Sequence, residues 1–258
     1  MNGLTRIIFI GTGSGKVTLK RFHSAFIIDH TNFKLLVDAG DSISRALIKS
    51  KIDFDFIDGI IISHFHPDHI CGLPLLLLQM KMTNRIKPLK IFFHKSLSEE
   101  LHRLLSSTYV IQDRLNFDLE FIKYDFENEF EVSKGFKIKA FENSHLDKYE
   151  YFVKLEKISL ASASFFFMVN GKKIFYSGDI GSENDIIHID EHKIDVFISE
   201  TTHIEPGQIV KTAEDHKPDI IVFTHLNEEM EEKVSKIVQN HTGKPAILEA
   251  FEGMELVF

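Results

Sequence analysis

The apolar positions of this chain fall into short runs that break repeatedly at glycine, asparagine or histidine. Thr5 to Ile10, Ala25 to Ile28, Phe33 to Val37, Phe56 to Ser63 and Lys90 to His94 read as strands, and Leu119 to Ala140 continues in the same style. Within that stretch Phe136-Lys137-Ile138-Lys139-Ala140 alternates apolar and polar side chains. Phe165 to Val169 and Lys173 to Tyr176 flank Asn170-Gly171, the signature of a hairpin on a type I′ turn. Val196 to Glu200, Ile220 to Thr224, Ala246 to Leu248 and Met254 to Phe258 complete the predicted strands.

Helical periodicity is sparser. Asp41 is placed to cap a helix whose Ile43, Ala46 and Leu47 face inward. The run from Pro74 through Leu75 to Leu78 predicts a helix apolar all round and therefore buried. Ser96 and Glu99 have capping-box spacing ahead of Leu97, Leu101, Leu104 and Leu105. Asn227 precedes a helix carrying Met230, Val234, Ile237 and Val238 on one face, with Gly243 beyond its end. Residues 146 to 162, with Tyr149 and Tyr151, are a polar and aromatic excursion.

Composition narrows the class. A length of 258 residues with 43% hydrophobic content and 24 Phe sustains a large core, and no linker or repeat divides the chain, so one domain over residues 1–258 is expected. Thirty Lys+Arg against 38 Asp+Glu, a net charge of −8, is a poor match to a protein that lives on nucleic-acid backbone contacts. There is no signal-peptide pattern at Met1 to Arg6 and no apolar run near the roughly 20 residues of a membrane span, so a cytoplasmic protein without membrane contact is expected. The one cysteine, Cys71, excludes an internal disulfide and a C-x-x-C zinc motif, and reads as a small buried hydrophobe.

The chemistry concentrates where predicted strands end. Ser63-His64-Phe65-His66-Pro67-Asp68-His69 packs four metal-grade side chains into six residues; His64 and His66 can face one way while Asp68 and His69 face another. His145 ends a strand in Asn143-Ser144-His145, Asp179 lies among glycines in Ser177-Gly178-Asp179, and His225 follows Phe223-Thr224. Asp38, also at a strand end, is positioned either to brace a ligand or to form a plain turn. Gly11-Thr12-Gly13-Ser14-Gly15-Lys16 lacks the spacing of a phosphate-binding loop and reads as a flexible turn near the site.

In order and setting these motifs resemble those of the metallo-β-lactamase superfamily, over nearly the whole chain. The resemblance implies a four-layer αββα sandwich of two mixed β-sheets. It implies His64, His66 and His145 as ligands of one divalent metal, Asp68, His69 and His225 as ligands of another, and Asp179 as the bridge. Zinc suits mixed imidazole and carboxylate donors best, with manganese or iron as alternatives. Two such ions supply hydroxide from a bridging water near neutral pH, so hydrolysis is the implied reaction, with Asp68 among the residues that serve it.

Asn143-Ser144-His145 resembles the ribonuclease Z-like and small-molecule phosphodiesterase branch rather than the Gly-His-Thr-Pro-Gly context of lactamases. There Glu200 resembles an orienting glutamate and His203 the histidine that protonates the leaving alkoxide, although Ile204-Glu205 stands where that branch has Ser-Thr. No Gly/Pro-rich basic arm of an RNA-maturing enzyme is present. The expected substrate is therefore a small or cyclic phosphodiester. A lactone or thioester, or RNA 3′-processing, is the alternative, a non-enzymatic binding module a remoter one, and a homodimer is compatible.

Overall fold

The computed structural model describes residues 4–189, 193–214 and 216–258. Alternation along each strand decides which way its side chains go. In β1 (Thr5–Gly11) Ile7 and Phe9 point to one apolar cluster while Ile8 and Ile10 point to another. The same division holds in β2 (Ala25–His30) and β3 (Phe33–Val37). With β4 (Gly59–Ile61), β5 (Leu89–His94) and β6 (Leu119–Tyr124) they form a sheet that is antiparallel from β1 to β3 and parallel from β3 to β6.

β7 (Glu129–Ser133), β8 (Phe136–Glu142), β9 (Ala163–Val169) and β10 (Lys172–Tyr176) run antiparallel, and β11 (Val196–Ser199), β12 (Ile220–Phe223) and β13 (Ala246–Glu249) continue in parallel. Finally β14 (Glu255–Val257) pairs with β1, which makes each sheet seven-stranded.

Three apolar layers hold the sandwich. The central one joins Ile7, Phe9 and Phe26 to Phe165, Phe167 and Tyr176 across the two sheets. Phe26 meets Tyr176 edge to face at 5.0 Å. Outside the first sheet lie α1 (Ile43–Lys49), α2 (Pro67–Ile70), α3 (Leu73–Met82) and α4 (Ser98–Ser107), whose buried faces complete the second cluster. After the short α5 (Val153–Glu156), α6 (Pro206–Glu214) and α7 (Glu228–Asn240) cover the outer face of the second sheet. This is the αββα sandwich of two mixed sheets expected from the sequence. Among the described residues no helix is long and apolar enough to cross a membrane.

Local details differ from the sequence reading. Asn170 and Gly171 take positive φ as a type I′ turn demands, and Asn227 caps α7 by accepting from Met230 N–H. Asp41, however, is not a cap: the N-cap of α1 is Ser42, in the left-handed region and without a side-chain capping bond to the helix. Ser96 and Glu99 form no capping box, because a 3-10 turn over Lys95–Leu97 moves the start of α4 to Ser98. The run Phe56 to Ser63 splits into a 3-10 turn and the three-residue β4.

The α3 helix is not buried all round. Leu76, Leu77 and Met80 are fully enclosed, whereas Leu75 is 53% and Met82 66% exposed, since none of the described elements covers that side. Cys71 is exposed rather than buried. The turn expected to be flexible is tied down instead: Gly13 N–H donates to Phe22 and Ser14 N–H to Leu226.

The two faces of α3 make a direct test. Leu76→Ala is expected to cost about 2–5 kcal/mol of unfolding free energy and Leu75→Ala under about 1 kcal/mol, as read from urea denaturation. Equal losses would contradict the exposed placement of Leu75.

Candidate metal centre

All the residues singled out at strand ends converge on one edge of the sandwich. The first support is Asp38, fully buried just past β3. Its Oδ1 accepts from Ser63 N–H at 2.8 Å and its Oδ2 from Ser63 Oγ–H at 2.9 Å. His69 Nδ1 lies 2.9 Å from the same Oδ2, and Tyr176 donates to it from β10 at 3.4 Å. Asp38 thus orients the loop that leaves β4, the bracing role rather than the plain turn.

Beyond Ser63, His66 serves as N-cap residue of α2, and that single turn separates the direction of Asp68 and His69 from that of His64 and His66. Gly40 allows the approach: a Cβ there would stand 1.7 Å from the Asp68 carbonyl oxygen.

Strands of the second sheet deliver the remaining groups. Asn143, after β8, accepts from His145 N–H through Oδ1 and donates through Nδ2 to Ser164 Oγ. Gly178, at a φ of 60° with the Ala163 carbonyl against it, lets the chain turn sharply before Asp179. His225 follows β12, and its Nδ1 is 3.0 Å from Thr202 Oγ1.

The side chains form two groups, His64, His66, His145 and Asp179, and Asp68, His69, Asp179 and His225. Within each, one donor atom per residue lies within 4.8 Å of every other, and Asp179 belongs to both. Ring centroids of His64 and His69 are only 4.2 Å apart, and those of His64 and His145 are 4.9 Å apart.

Such crowding of imidazoles leaves polar atoms stranded. His64 Nε2, His69 Nε2, His145 Nδ1 and Asp179 Oδ1 are buried without a hydrogen-bond partner among the described residues. Orphaned buried polar atoms are costly and rare, so four in one cluster of metal-type donors fit a cation that they share.

The charge states suit that use. Burial holds His64 well below the ordinary histidine value, holds His66 below it, and brings His145 down to about 3, the nearby Asp179 opposing in each case; these rings are neutral near pH 7 and free to ligate. Burial alone would raise Asp68 and Asp179, but their histidine neighbours outweigh it and keep both ionised. His69 goes the other way: burial would lower it, and Asp179 and Asp38 together raise it well above the usual value. A cation at that position competes with a proton for the same carboxylates.

His203 stands beside the cluster, its ring 4.6 Å from His145 and 6.1 Å from His225. Its Nδ1 is 3.0 Å from Oε1 of the fully buried Glu200. Burial would lower His203, but the Glu200 bond and charge prevail and raise it. Glu200 also accepts from the N–H groups of Thr202 and His203, so its position is fixed by its own turn.

The sequence reading missed Thr202 as the partner of His225 and Asn143 as the anchor of His145. It also missed Asp185, which accepts from Ser144 N–H and Oγ–H and from the Gly181 and Ser182 amides, joining the His145 turn to the Asp179 turn. Glycine and serine just before Asp185 signal a turn, but nothing in the spacing points to Ser144.

Fold and site place the protein in the metallo-β-lactamase superfamily. The family model described as Anti-Pycsar protein Apyc1 matches residues 5–242, and the chain belongs to that family. Among curated relatives it is 31% identical over 139 residues to ribonuclease Z of Agathobacter rectalis, a match spanning 54% of this chain and 45% of that one. The metallo-β-lactamase fold protein YhfI of Bacillus subtilis superposes with a TM-score of 0.77 at 17% identity, covering 99% and 100% of the two chains. The short form of human tRNase Z gives 0.73 at 20% identity, covering 97% and 98%.

Acid stability checks the histidine assignments. A ring held neutral by folding takes up its proton in the unfolded chain first, so stability contributed by His64, His66 and His145 is lost as pH falls below about 6.5 and toward 3. His69 and His203, being raised, are protonated in both states over that window and do not offset the loss. Thermal melting in chelator should fall continuously from pH 6.5 to 4, and a flat profile would contradict the burial of these rings.

Proposed function

We propose that this chain is a metal-dependent phosphodiesterase holding two divalent ions, zinc by preference, and acting on a small or cyclic phosphodiester. The observation that carries the reading is the pairing of two donor groups sharing Asp179 with a separate His203–Glu200 pair beside them. His64, His66 and His145 would hold one ion, Asp68, His69 and His225 the other, and Asp179 both. Ions bound there would acidify a shared water and neutralise charge on the phosphodiester.

The remaining work falls to this chain's own residues. Glu200 engages His203 Nδ1, which leaves Nε2 to donate a proton to the departing alkoxide oxygen. The raised affinity of His203 for its proton keeps it in the donating form near neutral pH. A lactone or thioester hydrolase has less need of such a donor. The ribonuclease Z likeness favours a second reading, RNA 3′-processing, against which stand the net charge of −8 and the missing basic arm.

Turnover of bis(p-nitrophenyl) phosphate by zinc- or manganese-loaded protein tests this. Asp179→Ala should abolish turnover and lower bound metal, whereas His203→Ala, with metal retained, should cut kcat roughly 10²–10⁴-fold for a diester with an alkoxide leaving group and far less for this one, whose p-nitrophenolate departs without a proton. Metal-loaded protein inert toward simple diesters would sink the reading and bring lactones and thioesters forward, and preferential cleavage of a tRNA precursor would favour the nuclease.

The pH profile is a separate check. Activity should decline on the alkaline side as His203 loses its proton, and Glu200→Gln should shift that decline to lower pH, because burial then acts unopposed by the carboxylate. A limb that stays in place would remove His203 from proton donation.

A further inference from the structure

Among the described residues β6 is the last strand of its sheet. Alternation turns its Ile122 and Tyr124 toward the central apolar layer and leaves Phe121 and Lys123 on the side of α4. Between these two residues and the helix lies a cavity of about 310 Å³. Phe93 of β5 and Leu101 of α4, each only 2% exposed, form its apolar wall. The ring of Phe121 meets that of Phe93 edge to face at 6.1 Å. Ser98 and His102 of α4 complete the lining, and none of these residues belongs to the metal centre.

Two observations point to a ligand. Phe121 is 39% exposed. One exposed ring is ordinary, but this one stands over buried apolar side chains with open space between them. The second observation is electrostatic. Lys123 is exposed, and among the described residues its ammonium has neither a carboxylate nor a hydrogen-bond partner. Lysines on the neighbouring strands and turns are paired: Lys95 with Asp125, Lys137 with Glu129 and Lys139 with Glu127. The His102 side chain is unpaired in the same sense, and no carboxylate lines the cavity, in a chain whose net charge is −8.

We propose that this cavity binds a small apolar monocarboxylate, its hydrocarbon body against Phe93, Leu101 and Phe121 and its carboxylate at Lys123. Ser98 and His102 carry further groups able to donate to the second oxygen. An ammonium that bonds a carboxylate makes a short, charge-assisted hydrogen bond, the strongest kind such a site offers. One lysine matches one negative charge, so a polyanion is a poorer fit. The volume stands at the lower end of the roughly 300–1,000 Å³ of small-molecule pockets, which suits a single ring or a chain of a few carbons. Since the lining excludes the metal ligands, the site neither needs the phosphodiesterase reading nor tests it.

Calorimetric titration of metal-loaded protein with 3-phenylpropanoate tests the site. Lys123→Gln should weaken binding about tenfold through the lost charge-assisted bond, and Phe121→Ala about tenfold through the lost apolar contact. Lys123→Arg should restore most of the affinity. The neutral 3-phenylpropanol should bind about tenfold more weakly than the acid to the wild-type protein, and equally weakly to Lys123→Gln. Acetate, which has the charge without the body, should show no saturable binding.

Absence of saturable binding by 3-phenylpropanoate overturns the proposal. So does a Kd that ignores both substitutions, since a carboxylate seated on the metal ions would behave in that way. An alcohol that binds as tightly as the acid would overturn the assignment to carboxylates. Should Phe121→Ala melt at a markedly lower temperature, Lys123→Gln and Lys123→Arg, which remove no buried contact, decide the matter.

Discussion

The buried carboxylate of Asp38 is the interaction on which the site depends. A charge enclosed this deeply is costly unless its lone pairs are filled. Here a backbone amide, a serine hydroxyl, an imidazole and a tyrosine hydroxyl fill them. Three of these partners belong to the histidine-rich loop and the fourth to β10 of the opposite sheet. One side chain therefore sets the loop's direction, fixes a ring of one donor group and joins the two halves of the sandwich where their strand ends meet.

Around that anchor the structure concentrates what protein interiors normally avoid. Imidazoles, those of His64, His66 and His145 neutral, pack against one another with His64 Nε2, His69 Nε2 and His145 Nδ1 lacking a hydrogen-bond partner among the described residues, and Asp179 is buried among them. The supporting bonds are made at the atoms that do not face the cluster: Asp38 to His69 Nδ1, Thr202 to His225 Nδ1 and Asn143 to the His145 backbone. Asp185 ties the turn before His145 to the turn after Asp179, so donors from two loops keep their separation. Rigid support outside and unmet polarity inside are the two conditions of a preorganised cation site.

Much of this was readable from residue order alone. The metal-type residues could be named because each follows a strand, and strands of this kind announce themselves by apolar runs with period-two alternation, a property of neighbours in the chain. Asp179 could be suggested as a shared residue from its glycine-flanked turn. The errors were of a different sort. The apolar run of α3 predicts burial on every side, because hydrophobicity does not say whether another element will cover Leu75. The same limit misplaced Cys71, which looked like a small core residue and stands in solvent. Capping at Asp41 and Ser96 failed because Ser42, in the left-handed region, takes the cap position of α1 and a 3-10 turn moves the start of α4 to Ser98.

By itself, then, the sequence determined the strands and the candidate donor residues at their ends, which follow from local pattern and side-chain chemistry, while the two-sheet sandwich and the candidacy of His203 and Glu200 came from the resemblance to the metallo-β-lactamase superfamily. Only the tertiary structure decided that Asp38 braces His69, that Thr202, Asn143 and Asp185 hold the donors in place, and that Phe121 and Lys123 border a cavity against α4. Apart from the local bond of Asn143 to His145, these facts pair groups far apart in the chain, and such pairs exist only once the strands have stacked and their loops have met.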